Sequence, residues 1–350
     1  GNLLQRYIKN DHATQQVLSH AFCPMPNGNT LVICLEKKSN EEAYAKGRIP
    51  GTLPEEGEWF EGKQHRGLFL DYLMEIDREN NVVWEWHLWD HVGDAPDEFN
   101  LNYILPPAAH YFSTVDWVHF NGVDYDPVHD RVCLTCRNFG EFVVVDRKSG
   151  RMIFRWGNPA THLRGRKPGW LDDGDQQLFG PHCGTFLNEG RHVLVHDNGW
   201  FRPKGNRSRA VEVDLETGDI VWSYESHNPQ NFTSPYQSSV QRLPNGNTMI
   251  DEGATGRVFE VTPRGEIVWE YRSPYGYAPA MKANTTYRAY AVPYEWVPQL
   301  KKPVETPVTA PVEPKTFIML PDDKGNIPNF RTTLDKRPVV QFDEPWVVSR

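Results

Sequence analysis

The sequence predicts an all-β protein assembled from repeated four-stranded sheets, and three observations predict it. A near-identical turn occurs twice, as Met25-Pro-Asn-Gly-Asn-Thr-Leu31 and as Leu243-Pro-Asn-Gly-Asn-Thr-Met249. Four segments alternate apolar with polar residues at the two-residue period of a half-buried antiparallel strand: Asn81-Val-Val-Trp-Glu-Trp86, Arg151-Met-Ile-Phe-Arg-Trp156, Asp219-Ile-Val-Trp-Ser-Tyr224 and Glu266-Ile-Val-Trp-Glu-Tyr271. No stretch of ten or more residues carries a convincing helical period.

Each alternating segment closes a unit. It follows a strand ending in Asp or Thr and a Gly- or Asn-containing turn: Glu75-Ile-Asp77, Val144-Val-Asp146, Glu212-Val-Asp214 and Glu260-Val-Thr262. Turn residues between two alternating strands signal a hairpin. The units fall at about 18–90, 115–157, 180–226 and 234–273. Sheets of this size bury their faces against one another in a ring, so residues 1–350 read as one β-propeller domain with long inter-strand insertions. The 12 Trp and 14 Tyr suit such inter-blade packing. Five or six blades fit the count. Residues 1–7 imitate a closing strand with no blade before them, and a propeller must close its ring to hide its edges. They are expected to complete a last blade whose other strands follow Asn284. The insertion 158–179, with Arg164, Arg166, Lys167 and Trp170, is expected to lid the mouth, and the Pro-rich 301–315 to form an extended tether.

Composition excludes several classes of function. With 37 Lys+Arg against 46 Asp+Glu, a net charge of −9 and no basic block, no nucleic-acid partner is expected. No apolar run approaches the roughly 18 residues of a membrane span, so no membrane partner is expected, and no signal-peptide pattern is visible at the N-terminus. The five cysteines are an odd count, so at least one thiol is free or pairs between chains. That count leans toward a reducing, cytoplasmic compartment. Cys133 and Cys136 lie three apart on an expected strand, hence on opposite faces, and read as ordinary strand cysteines rather than a zinc or redox pair. Oligomeric state is not specified by any of this.

In a propeller the innermost strand of every blade lines the central channel. Histidines at the start of several inner strands therefore converge, however distant in sequence. His20, His119 and His182 stand at that position in three units, and Tyr236-Gln-Ser-Ser239 occupies it in the fourth. Arg137 lies on the strand after His119 in an otherwise apolar setting. A buried guanidinium there wants a carboxylate, phosphate or sulfate, whose oxygens match its fork. Asn121, two residues after His119, falls on the same strand face and can touch the same ligand. Tyr287 and Arg288, in Thr285-Thr-Tyr-Arg-Ala-Tyr290, read as the start of another inner strand reaching the mouth. The constellation suits a small anionic substrate. His87 and His91 belong to a blade-to-blade loop in this reading. Asp172-Asp-Gly-Asp-Gln-Gln177 lacks the closing Glu of a calcium loop.

These residues resemble a known family. Asp116-Trp-Val-His-Phe-Asn-Gly-Val-Asp-Tyr-Asp126 with Arg137 and Asp146-Arg-Lys-Ser-Gly-Arg151 is similar to the PAPS-independent arylsulfate sulfotransferases. So are His196-Asp-Asn-Gly199 with Ser208-Arg-Ala-Val-Glu-Val-Asp214, and Gln241-Arg-Leu-Pro-Asn-Gly-Asn-Thr248 through Glu252-Gly-Ala-Thr-Gly-Arg-Val-Phe-Glu-Val261. The resemblance covers about 18–297. It implies a six-bladed propeller and ping-pong transfer of a sulfuryl group between phenols through a sulfohistidine, with no cofactor. Position by position, it implies His182 as nucleophile, His20 and His119 beside the sulfate handling the phenolic proton, and Asn121 and Arg137 binding sulfate oxygens. Neutral imidazole is a competent nucleophile near neutral pH, and Arg and Asn donors stabilise charge on the equatorial oxygens.

Other chemistries use the same residues. A lyase or hydrolase acting on a small aromatic or uronate-like anion would take His119 or Tyr236 as base and hold a carboxylate with Arg137 and Arg202. In a metal variant, His20, His119 and His182 would bind zinc, manganese or iron. A non-catalytic interaction propeller is the third reading.

Overall fold

The computed structural model describes residues 6–7, 10–11, 16–60, 63–103, 115–273 and 284–301. Four successive antiparallel sheets dominate it, each running from its inner strand outward. The first contains β1 (Asn10–Asp11), β2 (Gln16–Pro24), β3 (Thr30–Lys38), β6 (Leu68–Ile76) and β7 (Val82–His87), in that order. Between β3 and β6 lie the short helix α1 (Asn40–Ala45) and the hairpin of β4 (Glu58–Phe60) and β5 (Lys63–His65). Ser39 caps α1 by accepting from the Glu42 amide, while the Glu42 carboxylate accepts from the Ser39 amide. The second sheet holds β8 (Phe120–Asp126), β9 (Arg131–Cys136), β10 (Glu141–Asp146) and β11 (Met152–Trp156). The third holds β12 (His182–Leu187), β13 (His192–Asp197), β14 (Arg209–Asp214) and β15 (Ile220–Glu225). The fourth holds β16 (Ser239–Arg242), β17 (Thr248–Glu252), β18 (Arg257–Val261) and β19 (Ile267–Arg272). The four units expected from the sequence are these four sheets.

Strand alternation turns the sheets into a propeller-like stack. On β9, Val132, Leu134 and Cys136 pack with Leu31, Ile33 and Leu73 of the first sheet, while Cys133 points the other way, against Val193 and Val195 of the third. On β13, Leu194 turns its back on that layer and joins Val240, Ile250 and Phe259 of the fourth. A two-residue period thus feeds two interfaces from one strand. All five cysteines are free thiols.

The closing-strand tryptophans fasten each sheet to the next. Trp86 Nε1 donates to Gly150 O at 2.8 Å, Trp156 Nε1 to Gly218 O at 2.9 Å, and Trp222 Nε1 to Pro263 O at 3.0 Å. Each acceptor sits in the turn before the neighbour's own closing strand. Ion pairs repeat the stitch: Arg147 meets Glu75, and Arg242 Nη2 lies 2.6 Å from Glu212 Oε2. Beyond the fourth sheet no further sheet follows among the described residues, and Trp269 and Tyr271 of β19 are exposed.

The expected ring-closing strand 1–7 is described only at Arg6 and Tyr7. Tyr7 packs against Val32, Cys34, Tyr72, Met74 and Ile76, on one face of the first sheet. Residues 1–5, and 302–315 of the Pro-rich stretch, lie outside the described residues. The insertion 158–179 is anchored at both ends. Asn158 Nδ2 donates to Tyr103 Oη and Phe139 O, and Leu178 enters the core between the second and third sheets, whereas Trp170 and Leu171 stand in solvent.

Gly199, just past β13, takes a φ of +64°, and a Cβ there would lie 1.6 Å from Arg207 O. Both the left-handed backbone and this approach require glycine. Gly199→Ala is expected to cost more than about 2 kcal/mol, read as a lowered thermal midpoint. An unchanged midpoint would mean that this turn does not hold β13 and β14 together.

Candidate active site

The histidines are aimed by one recurring irregularity. Pairing of β2 with β3 slips between Ser19 and Phe22, that of β8 with β9 between Phe120 and Gly122, and that of β12 with β13 between His182 and Thr185. A bulge of this kind re-aims side chains at a strand end. Positive φ accompanies each slip: 33° at His20, 62° at His119 and 55° at Cys183. In the fourth sheet Gln237 and Ser238 take 58° and 89° just before β16. Non-glycine residues held there mark places where the surrounding fold over-determines the backbone.

The bulges bring three blades to one point. The rings of His20 and His119 meet edge to face with centroids 4.3 Å apart. Arg137 is close enough to His20, His182 and Asp116 to bias the charge of each. His119 and His182 likewise interact. Residues far apart in sequence therefore share one electrostatic neighbourhood. A cleft of about 260 Å³ opens beside it, with Val17, Leu18 and Leu35 as an apolar wall and Ser19, His20, Asp71, Asp116 and His119 as a polar one.

Each imidazole has its own setting. His119 Nδ1 lies 2.5 Å from Asp116 Oδ2, so Nδ1 carries the proton donated to that carboxylate and Nε2 is left as the exchanging nitrogen. Asp116 is buried, which pushes its pKa up. The His119 contact, its hydrogen bond and then Arg137 outweigh burial and hold it below the usual range. His20 Nδ1 faces Ser19 Oγ at 2.6 Å. His20 is exposed and lines the cleft, yet desolvation by its neighbours, then His119, lowers its pKa. His182 is buried at 4% exposure, and burial followed by Arg137 holds its pKa well below the ordinary value. It is a neutral imidazole at neutral pH.

Several residues singled out from the sequence are placed differently. Asn121 is wholly buried, and its slip in register removes the simple alternation that put it on the ligand face beside His119. Its Nδ2 donates to Pro181 O at 2.9 Å and its Oδ1 accepts from Thr135 Oγ1 at 2.6 Å, so it ties the second sheet to the residue before His182. Arg202 lies across Asp173 Oδ2 at 3.1 Å and Asp197 Oδ2 at 2.6 Å and stacks on Phe179, a structural ion network rather than a ligand clamp. The Tyr236 phenol makes no hydrogen bond among the described residues; only its carbonyl is used, accepting from Ser234 and Ser238. Tyr287 and Arg288 do not start a strand. Their segment runs beside β16 through single bonds, with Ser238 N donating to Tyr287 O and Ala289 N to Ser239 Oγ. Arg288 nevertheless reaches the site: Nη2 donates to Asn121 O at 2.5 Å, the guanidinium lies over Tyr287, and its charge bears on His20.

His87 and His91 are engaged elsewhere. His87 Nδ1 meets Glu36 Oε1 at 3.1 Å, and His91 stacks on Trp86. Asp172 pairs with Arg166 at 2.6 Å. Among the described residues no three His, Cys, Asp or Glu side chains are grouped as a metal ion requires, and His20, His119 and His182 are not so grouped.

Sequence reasoning missed three residues. Asp116 is signalled by its place three residues before His119, the one local clue. Asp71, on β6, is buried beside the Phe120 and His119 backbone; burial, then Asp116, raises its pKa well above the carboxylate range. Asn198 Oδ1 lies 2.7 Å from His182 Nδ1.

The arylsulfotransferase (ASST) family model matches residues 58–288. No curated protein matches the sequence. Among solved structures, the chain is similar to a protein of unknown function from Bacteroides caccae, at 14% identity and TM-score 0.33 over 63% of this chain and 57% of that one. It is similar to hydrazine synthase of Kuenenia stuttgartiensis, at 11% identity and TM-score 0.36 over 76% and 52%. Virginiamycin B lyase of Staphylococcus aureus gives 11% identity and TM-score 0.36 over 76% and 58%. The chain thus spans little more than half the length of these structures. The family match covers well over half of the sequence and takes in His119, Asn121, Arg137, His182 and Arg288: the chain belongs to the arylsulfotransferase family.

Proposed function

We propose that the protein moves a sulfuryl group from an aryl sulfate to a phenol through His182. The observation that carries the reading is the meeting of a buried neutral imidazole from the third sheet with a buried guanidinium and an Asp–His pair from the second. In the first half-reaction, the His182 Nε2 lone pair attacks sulfur and the bond from sulfur to the aryl oxygen breaks. His119 enters this step as the imidazolium, Nδ1–H held by Asp116, and the leaving phenolate takes the electron pair from the broken bond and the proton from Nε2, leaving His119 neutral for the second half-reaction. In the second, His119 takes the proton of the acceptor phenol, whose oxygen attacks sulfur, and the S–Nε2 bond returns its electron pair to His182. The proton removed in one half is the proton given in the other. Arg137 holds sulfate oxygens as charge builds on them, with Arg288 and Tyr287 at the mouth. Asn121 keeps Pro181, and with it His182, in place. Imidazole is the sulfuryl carrier, so the reading invokes no cofactor. The substrate is a small anionic aromatic compound.

Kinetics with 4-nitrophenyl sulfate test this. Without acceptor, a single burst of about one nitrophenol per active site is expected, leaving one SO3 on the His182 peptide; sustained release is expected to require an added phenol and to give parallel double-reciprocal lines. Sustained turnover without a phenol acceptor, or activity abolished by chelators, would replace this reading with a hydrolase or a metal enzyme.

A further inference from the structure

The amide of Asn198 is fixed end for end. Its Nδ2 donates to Ser234 O at 2.7 Å and to Gln237 O at 3.0 Å, two carbonyls that only an NH2 group can satisfy. The side chain is fully buried, and the Asn198 carbonyl accepts from Ser208 Oγ at 2.9 Å. The remaining end, Oδ1, therefore faces His182 Nδ1 at 2.7 Å, with Gly180 O at 3.1 Å from the same nitrogen. Both neighbours of Nδ1 are oxygens without a proton to give. The hydrogen between them must belong to the imidazole.

From this geometry we infer that Asn198 is a positioning residue that locks His182 in the Nδ1–H tautomer and so leaves the Nε2 lone pair bare toward the site. The inference rests on the proposed role of His182 for its catalytic meaning, though not for the tautomer itself. Attack through Nε2 forms the S–N bond without removing a proton from the ring. The positive charge that then develops on the ring strengthens the bond from Nδ1–H to Asn198 Oδ1 and Gly180 O, and it is lost again when the electron pair returns to Nε2. The opposite tautomer would carry its proton where the bond to sulfur has to form. The Asn198 partners come from the loop before β16, so the fourth sheet, which lends no histidine to the site, orients the one on the third.

Nitrogen NMR of ¹⁵N-histidine-labelled protein, with His182 assigned by its own substitution, reads the tautomer directly. His182 is expected to show a protonated Nδ1 and an unprotonated Nε2. In Asn198→Asp a carboxylate replaces Oδ1 and favours the imidazolium, so the acidic limb of kcat/KM is expected to move to higher pH. In Asn198→Leu, kcat is expected to fall by roughly 10–100-fold. A wild-type His182 protonated at Nε2, or an Asn198→Asp profile superimposed on the wild type, would overturn the inference. The NMR result separates the two readings: a locked Nδ1–H in a protein that transfers no sulfuryl group leaves Asn198 in its role and removes the proposed function.

Discussion

His182→Ala is expected to lower sulfuryl transfer by roughly 10⁴-fold or more while leaving the fold intact, and to abolish the covalent SO3 adduct. Removing the nucleophile of a unit that acts as one typically leaves only the rate that binding and electrostatics supply. The cavity left by the ring is lined by Asn198 and Gly180, and both can be solvated or repacked without loss of a charge partner. A thermal midpoint within a few degrees of wild type is therefore expected. Transfer at the wild-type rate with the adduct still forming would place the nucleophile elsewhere, and His20 or His119 would be next.

Arg137→Met is expected to cost roughly 10²–10³-fold in kcat, the loss associated with one preorganised donor to developing charge. It is also expected to change the pH profile in a defined direction. Burial lowers the pKa of His182 first and Arg137 second. Deleting the guanidinium lifts the folded-state value toward that of a free imidazole, so the nucleophile protonates at higher pH and the acidic limb of kcat/KM moves upward. Arg137→Lys keeps the charge but not the fork, so it is expected to restore the limb more than the rate. An unchanged profile in Arg137→Met would show that the guanidinium does not act on His182.

The two experiments address different links. His182 tests which atom carries the group. Arg137 tests whether the electrostatic neighbourhood seen around it governs that atom.

The elements that local patterning controls are legible in the sequence alone. The hairpins of the four sheets, the two faces of β9 and the crowding of Trp at closing strands all follow from a two-residue period and turn chemistry acting over a few positions. The ring position shared by His20, His119 and His182 was readable for the same reason, because repeats place equivalent residues equivalently. The partners were not. Arg202 looked available until Asp173 and Asp197 closed on it from other segments. Asn121 was expected to alternate with His119, and a single register slip turned its amide to Pro181 instead.

By itself, then, the amino-acid sequence determined the four sheets with their closing hairpins and which histidines stand at the inner ends, since each depends on neighbours along the chain. Only the tertiary structure decided what each polar group faces: Asp116 on His119, Arg137 beside His182, Asn198 against Nδ1. Buried hydrogen bonds and charge interactions depend on distances of a few ångströms between segments remote in sequence, and such distances are set by packing rather than by local pattern.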